Sequence, residues 1–321
     1  MTRRSTLLVA LGALGLVLLL WRIDMDGVKL SLRHVGWGMA LVLSQEVVAH
    51  ALNALAWRFT FTPESARRVS LSELIRLRVA GDAINYLTPT ATIGGEIART
   101  MLLSDASGVE ARAVSVVTAK ATQTLAQAFF VTGGLVFVAQ SWRFGSRWAP
   151  AAAGGILLAV ALAAWCARAR SVRVEALWRR IVGAGLVDFV RNHPERVAAS
   201  TLLFALAYAW GTVEAYWICR FLGHPVTAVT AFAIEALSIT IDGLLFVVPA
   251  KIGTQEGGKV VAFITLGLPG SLGFAFGVVR HVRELVWAAL GILLYGMAAR
   301  RVASPARELV DGAATPAGPC A

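Results

Sequence analysis

The chain has 321 residues, of which 57% are hydrophobic and only 15% are charged, and its mean hydropathy is +0.68. A soluble globular domain is usually about 45–50% apolar and about 25% charged, so the composition excludes a soluble enzyme, a disordered chain and a secreted disulfide scaffold. The net charge of +11 does not require a nucleic-acid partner, because membrane proteins concentrate Arg and Lys on their cytoplasmic side. We therefore expect an all-α, polytopic integral membrane protein.

The first hydrophobic segment, residues 7–22, predicts an uncleaved membrane anchor rather than a signal peptide. Arg3 and Arg4 precede the apolar run, as in a signal peptide, but no small-residue cleavage site follows, since the chain continues with WRID. We expect this helix to leave its N-terminus in the cytoplasm.

Further apolar runs have the length of about 20 residues that a helix needs to cross a bilayer. Clear candidates after the anchor are 36–57, 113–139, 149–167, 197–219 and 272–299. Two more hydrophobic regions, 74–103 and 228–268, are interrupted by Pro and Gly.

The arginine-rich connections predict how the interrupted regions are threaded. If residues 74–103 crossed the membrane fully, the connection 168–196 and its seven arginines would face outside, against the positive-inside rule. We therefore predict six full spans and two broken helical hairpins that approach from opposite faces, with both termini cytoplasmic. Residues 228–248 alone could also span. The membrane domain is expected at 1–303, followed by a disordered cytoplasmic tail at 304–321.

The two interrupted regions carry the same pattern of residues at a constant offset of 160 positions. The first contains Asp82, Pro89, Glu96 and Arg99, and the second contains Asp242, Pro249, Glu256 and Lys259. Both copies fit D-x6-P-x6-E-x2-[R/K], which indicates an internal duplication.

The repeated residue types indicate broken helices. Proline removes a backbone donor and clashes with the preceding turn, and the glycines that follow it, Gly94, Gly95 and Gly253, allow backbone conformations closed to other residues. Lipid cannot satisfy the exposed polar backbone, so a break at membrane depth must face protein or a wet cavity. Several transporters build their substrate sites from such breaks in inverted repeats. In the alternative, each break only kinks a packed helix, and each Glu stabilises the N-terminus of the next half-helix.

Other ionisable residues fall inside the apolar segments, where they usually face the bundle interior or an aqueous path. They include Glu46, His50, Lys120, Glu214, Glu235, Arg280, His281, Arg283 and Glu284. Two pairs could simply satisfy each other at helical spacing: Arg280 with Glu284, and Glu46 with His50.

Motifs for nucleotide, metal or nucleophilic chemistry are absent or incomplete. Residues 253–259 read GTQEGGK, but Val260 stands where a phosphate-binding loop needs Ser or Thr. The histidines form no metal-ligand pattern, and no nucleophile elbow occurs. No catalytic residue, metal or cofactor is predicted.

Several stretches carry a resemblance to a known family. PTATIGGEIAR at 89–99, FVVPAKIGTQEGGKVVAFITLGL at 246–268, VRHVRELVWAALG at 279–291 and WRIDMDGVKLSLRHVGW at 21–37 resemble the flippase-like membrane domain of the lysylphosphatidylglycerol synthase family. The likeness covers residues 7–299. It is closest to small stand-alone members, some of them linked to hopanoid biosynthesis. The chain departs from the family pattern at Glu96, where Asp is frequent. It also ends without the soluble aminoacyl-transfer domain of the synthases, so the resemblance implies the lipid-translocating half.

These observations predict a protein that moves a lipid or its headgroup between leaflets of the bacterial inner membrane. Its partner would be an anionic or aminoacylated phospholipid or a hopanoid, with other lipid-biosynthesis proteins as further partners. A membrane-embedded lipid transferase and a non-catalytic scaffold of a lipid-synthesis complex are the alternatives. Arg99, Lys259 and Lys251 are candidate phosphate partners, and the repeated carboxylates would contact cationic groups or a coupling proton. The predicted site comprises Asp82, Pro89, Gly94, Gly95, Glu96, Arg99, Asp242, Pro249, Lys251, Gly253, Gln255, Glu256, Lys259, Arg280, Arg283 and Glu284.

Overall fold

The computed structural model describes residues 33–88, 93–103, 108–141, 183–244, 251 and 253–313, and these residues are mainly helical. The helices are α1 (Gly38–Arg58), α2 (Pro63–Arg68), α3 (Leu71–Leu87), α4 (Ile93–Leu102), α5 (Gly108–Ser141), α6 (Ala184–Asn192), α7 (Pro194–Phe221), α8 (Ala228–Leu244), α9 (Thr254–Thr265) and α10 (Gly270–Ala313). The described part of the chain contains no strand. The all-α class predicted from composition is confirmed.

Four of these helices are long and apolar enough to cross a membrane: Gly38–Arg58, Gly108–Val138, Pro194–Phe221 and Gly270–Arg300. They correspond to four of the six full spans predicted from the apolar runs. The other two, at 7–22 and 149–167, lie outside the described residues. Helix α10 continues to Ala313, so the first part of the expected tail is helical, and residues 314–321 lie outside the described residues.

Helices α1 and α7 lie antiparallel along each other. At one end, the guanidinium of Arg196 in the first turn of α7 donates hydrogen bonds to the carbonyl oxygens of Arg58 and Phe61, where α1 ends. At the other end, Gly38, the first residue of α1, lies against the ring of Phe221, the last residue of α7. The C-terminal ends of α1 and α7 are therefore on opposite sides of the protein.

Each of these ends leads into one of the interrupted regions. The first region forms a hairpin of α3 and α4, reached from the end of α1 through the short α2, and the second forms a hairpin of α8 and α9, reached from the end of α7 by a short turn. The two hairpins therefore start from opposite sides of the protein. Both pack against α10, α9 near its start at Gly273 and Gly277 and α3 farther along it at Gly291.

The first hairpin is held closed by contacts between its two limbs. The backbone N–H of Gly95 donates a 2.7 Å hydrogen bond to the side-chain oxygen of Asn85, which satisfies a free donor in the first turn of α4. Gly81 and Gly95 face each other so closely that a Cβ on Gly95 would overlap the carbonyl oxygen of Gly81. Glycine is required here because the two backbones touch.

Two apolar cores lie at opposite ends of the bundle, one beside the base of each hairpin. One contains Trp57, Phe61, Leu74, Leu103 and Phe204, from the end of α1, the first hairpin and α7. The other contains Val42, Ile218, Ile234, Phe263 and Phe276, from the start of α1, the end of α7, the second hairpin and α10. Many large apolar side chains on the outer faces of the spans are exposed, among them Leu202, Leu206, Leu285 and Leu293, as expected where lipid replaces water.

Candidate functional site

A cavity of about 650 Å³ lies where the two hairpins meet α1, α5 and α10. Its charged and polar lining consists of Glu46, His50, Asp82, Asn85, Tyr86, Lys120, Gln127, Asp242, Lys251, Arg283 and Glu284. Asp82 and Asp242, the first members of the two repeats, thus open into one space although 160 positions separate them. The two interrupted regions therefore line a single cavity.

The position of the lining residues along their helices places the cavity at membrane depth. Helix α1 has 21 residues, a length of about 31 Å, and His50 lies about 18 Å from its start at a rise of about 1.5 Å per residue. Lys120 also lies about 18 Å from the first residue of α5, and Glu284 lies about 21 Å from the first residue of α10. The hydrocarbon core is about 30 Å thick, so His50 lies near the middle of a helix whose length matches that thickness.

In the first hairpin, Arg99 of α4 joins both carboxylates of its own repeat. Its guanidinium donates to Asp82 Oδ1 at 2.6 Å and to the two carboxylate oxygens of Glu96 at 2.9 and 2.8 Å. A further bond of 3.3 Å reaches the carbonyl oxygen of Arg78, whose own Nε donates to Asp82 Oδ2 at 3.0 Å. Arg99 is only 3% exposed, so its charge is balanced within the protein.

In the second hairpin, the equivalent cation makes the equivalent bond. Lys259 of α9 donates to Asp242 Oδ1 at 2.8 Å, and its side chain is 0% exposed. Lys251, in the segment between α8 and α9, donates to the other oxygen of Asp242 and to Glu284 Oε1, both at 3.2 Å. The aspartate and the basic residue are thus paired across the break in both repeats.

The glutamate of the repeat has different partners in the two hairpins. Glu96 faces Arg99, whereas Glu256 lies 2.5 Å from Nδ1 of His281 on α10. A pair between the repeat glutamate and the basic residue three positions later therefore forms in the first repeat only. The first-turn position of both Glu side chains also fits the alternative in which they stabilise helix N-termini.

Helix α10 supplies the charges that connect the hairpins to the spans. Arg280 donates to Glu214 Oε2 of α7 at 3.1 Å and to Glu235 Oε2 of α8 at 2.5 Å. Arg283 donates to Glu46 Oε2 of α1 and to Glu214 Oε2, both at 2.6 Å. The two self-satisfied pairs considered from the sequence, Arg280 with Glu284 and Glu46 with His50, are therefore wrong. Arg280, Glu284 and Glu46 bond to charged residues of other helices or of a connecting segment, and His50 packs on Trp287.

The structure separates the predicted site residues into two groups. Asp82, Asp242, Lys251, Arg283 and Glu284 line the cavity, whereas Glu96, Arg99, Glu256, Lys259 and Arg280 lie behind this lining. Gly94 and Gly95 lie in the first turn of α4, Gly253 precedes α9 with a φ of 73°, and Gln255 donates to Glu284 Oε1 at 3.3 Å. Pro89 and Pro249 lie outside the described residues.

The lining also includes residues outside the predicted set, among them Glu46, His50, Lys120 and Trp287. Lys120 is 42% exposed and approaches Glu96 only to 3.8 Å. His50 stacks on Trp287 with ring centroids 4.7 Å apart, and neither ring nitrogen has a hydrogen-bond partner among the described residues. For Glu46, His50 and Lys120 the sequence signal was an ionisable residue within an apolar run, but no repeat connected them to the broken regions.

This fold and this charged cavity define a multi-pass helical membrane protein with a polar site at membrane depth. The chain belongs to the lysylphosphatidylglycerol synthase transmembrane family, since the family model described as "Lysylphosphatidylglycerol synthase TM region" matches residues 6–291. The family resemblance predicted from the motifs is confirmed, and it makes this a membrane protein linked to lipid modification or translocation. Comparison with curated protein sequences and with solved structures found no match.

Proposed function

We propose that this protein moves a lipid between the leaflets of the bacterial inner membrane, with the headgroup crossing through the cavity and the acyl chains remaining in the bilayer. The observation that carries the proposal is the single charged cavity at membrane depth, to which both duplicated hairpins contribute their aspartates. A headgroup needs a polar path through a region where an unpaired charge is costly, and the lining supplies groups of both signs.

The exposure of the cations indicates which of them are available to a lipid phosphate. Lys120 and Lys251 are 42% and 28% exposed and line the cavity. Arg99 and Lys259, the candidate phosphate partners from the repeat pattern, are buried against carboxylates of the protein. We therefore assign phosphate binding to Lys120 and Lys251, and we assign to Arg99 and Lys259 the task of holding Asp82 and Asp242 in place.

The opposite starting sides of the hairpins support an inverted repeat, with the first hairpin approached from the cytoplasm and the second from outside. Both termini then lie in the cytoplasm, as the arginine distribution predicts. The substrate in this proposal is an anionic or aminoacylated phospholipid or a hopanoid carrying a polar headgroup, and other lipid-biosynthesis proteins remain proposed partners.

The test is lipid movement in proteoliposomes that contain the purified full chain and an acyl-labelled fluorescent phosphatidylglycerol. Lys120→Gln should slow the movement about 10- to 100-fold, because a hydrogen bond to a charged group contributes about 1.5–3 kcal/mol and about 1.4 kcal/mol corresponds to a tenfold change. Arg220→Gln removes an exposed charge at the end of α7 and is the matched control, with movement unchanged.

Each alternative function has its own outcome in this experiment. A new lipid species formed by the purified chain would identify a transferase. Unchanged lipid movement in a folded Lys120→Gln variant would contradict the assignment of headgroup binding to the cavity. A complete lack of movement above protein-free vesicles would favour the scaffold.

A further inference from the structure

The two copies of the repeat differ in the chemistry that faces their glutamate. In the first copy, Glu96 contacts Arg99 at 2.8 Å and Lys120 at 3.8 Å, and both partners are strong bases. In the second copy, Lys259 turns to Asp242, and Glu256 instead contacts His281 Nδ1 at 2.5 Å. Histidine is the side chain whose unperturbed pKa lies nearest to neutral pH. The first copy of the repeat thus contains an ion pair of permanent charges, and the second copy contains a pair that can titrate near neutral pH.

His281 occupies the junction between the two hairpins. Its ring meets the edge of Tyr86 of α3, with centroids 6.4 Å apart, and Glu256 of α9 lies on its Nδ1. Glu284 of α10 and Lys251 are the other charged groups that act on it. Arg280, the preceding residue on α10, faces away toward Glu214 and Glu235. A change of charge at His281 therefore acts on both hairpins.

The pair has unused capacity for hydrogen bonding in a buried place. Glu256 Oε2 and the hydroxyl of Tyr86 are buried and have no hydrogen-bond partner among the described residues. Buried polar atoms normally find a partner, and each exception needs an explanation. A proton added to the pair would give either a charge-assisted bond from the imidazolium to the carboxylate or a carboxylic acid able to donate from Oε2.

We propose that Glu256 and His281 together form a proton-binding site, and that this proton is the coupling ion for lipid movement. The proposal rests on the proposed function and names its energy source. In one state of the cycle the pair holds a proton, so that imidazolium and carboxylate draw α9 onto α10. In the other state the proton is released, and one carboxylate charge is left without its counter-charge between the hairpins. Binding and release make and break only an N–H or O–H bond.

The experiment uses proteoliposomes with a short-chain fluorescent phosphatidylglycerol, whose outer-leaflet fraction is measured by extraction into albumin. Valinomycin and equal potassium concentrations hold the membrane potential at zero. At equal pH on both sides, the label should distribute evenly between the leaflets, which tests lipid movement alone. One pH unit across the membrane should shift the leaflet ratio toward a limit of about tenfold for one proton per lipid, because one pH unit corresponds to about 1.36 kcal/mol. Mixed insertion does not cancel the shift, since the gradient and not the orientation sets its direction.

Variants of the pair test the assignment to these residues. His281→Gln removes the titratable group and His281→Arg makes its charge permanent, so both should return the leaflet ratio to one under the gradient. The matched control is His193→Gln. His193 also faces a glutamate, Glu195 at 3.8 Å, but at the junction of α6 and α7 and with that glutamate exposed, so the full gradient response should remain.

A measurement on the unaltered chain covers the case in which the His281 variants do not fold. Adding the fluorescent lipid to the outer leaflet at equal pH should change the pH of the vesicle lumen, reported by trapped pyranine, and Glu256→Gln should abolish this change. Lipid movement with no response to the gradient and no lumenal pH change overturns the coupling and leaves the proposed function standing. A gradient response that persists in His281→Gln overturns the site. Absence of lipid movement under every condition overturns both proposals.

Discussion

The ammonium group of Lys259 lies 2.8 Å from Asp242 Oδ1, and its side chain is 0% exposed. The same bond joins Arg99 to Asp82 in the first hairpin. In each hairpin the bond connects the helix before the break to the helix after it. In both copies of the pattern, an ion pair therefore holds together the two helices on either side of the break.

Breaking this pair on one side should destabilise the protein more than removing it altogether. We expect Lys259→Met to lower the free energy of unfolding by about 1.5–3 kcal/mol, because Asp242 loses one charge-assisted hydrogen bond and keeps the one from Lys251. The double variant Asp242→Asn with Lys259→Met should recover most of the loss, since Lys251 keeps Glu284 as a partner. Unfolding in detergent, followed by tryptophan fluorescence, measures the free energy of unfolding of the single and the double variant. A double variant no more stable than Lys259→Met would contradict the prediction.

Substitutions of the basic residue in the first hairpin should have a different effect, because Arg99 donates hydrogen bonds to several acceptors. Arg99→Lys keeps the charge but loses the planar fork, and each lost bond to a carboxylate should cost about 1.5–3 kcal/mol. Arg99→Gln should be more severe. The double variant Glu96→Gln with Arg99→Gln should not be rescued, since Asp82 still loses its 2.6 Å partner. Recovery of wild-type melting and lipid movement in this double variant would show that Arg99 serves Glu96 alone.

The contact between the two limbs of the first hairpin should tolerate no side chain at Gly95. We expect Gly95→Ala to destabilise the protein by about 1–3 kcal/mol or more, the range for overpacking. Gly296→Ala is the matched control on α10, where an added Cβ has no atom within 4 Å. This control should be neutral or stabilising, because Ala favours a helix over Gly by about 1 kcal/mol. Thermal melting of the two purified variants measures this difference in stability, and equal melting temperatures would contradict the close approach of the limbs.

The membrane topology is tested by labelling single cysteines in a background from which the native cysteines have been removed. Residues 104–110 and 175–190 should label only from the cytoplasm, and residues 140–148 and 220–226 should label in intact cells with an impermeant reagent. His224→Cys is the sharpest probe, because His224 is exposed just beyond the end of α7. Labelling of residues 175–190 from outside would contradict the hairpin predicted for residues 74–103.

The sequence predicted those parts of the structure that depend on neighbours along the chain. The apolar run at 36–57 became Gly38–Arg58, and the run at 197–219 became Pro194–Phe221, because span length follows directly from hydrophobicity. The break of the first interrupted region was also predicted, since α3 ends at Leu87 and α4 begins at Ile93. Proline and glycine act on their own backbone, so their effect is readable locally.

The partners of the charged side chains were not predictable in the same way. Arg280 has Glu284 one turn away, yet it bonds Glu235, 45 positions earlier in the chain. That choice depends on how α8 and α10 are rotated about their axes, and periodicity does not encode a rotation between two helices. Lys120 was missed as a lining residue for the same reason, because it belongs to neither repeat and reaches the cavity only through the packing of α5.

Helix α10 carries Arg280, His281, Arg283 and Glu284 within five positions, which is more than one full turn. These side chains reach α1, α7, α8, α9 and the segment that contains Lys251. Rotating α10 by even one residue, about 100°, would break all of these bonds at once. These bonds therefore fix the rotation of α10 relative to two of the spans and to the second hairpin at the same time.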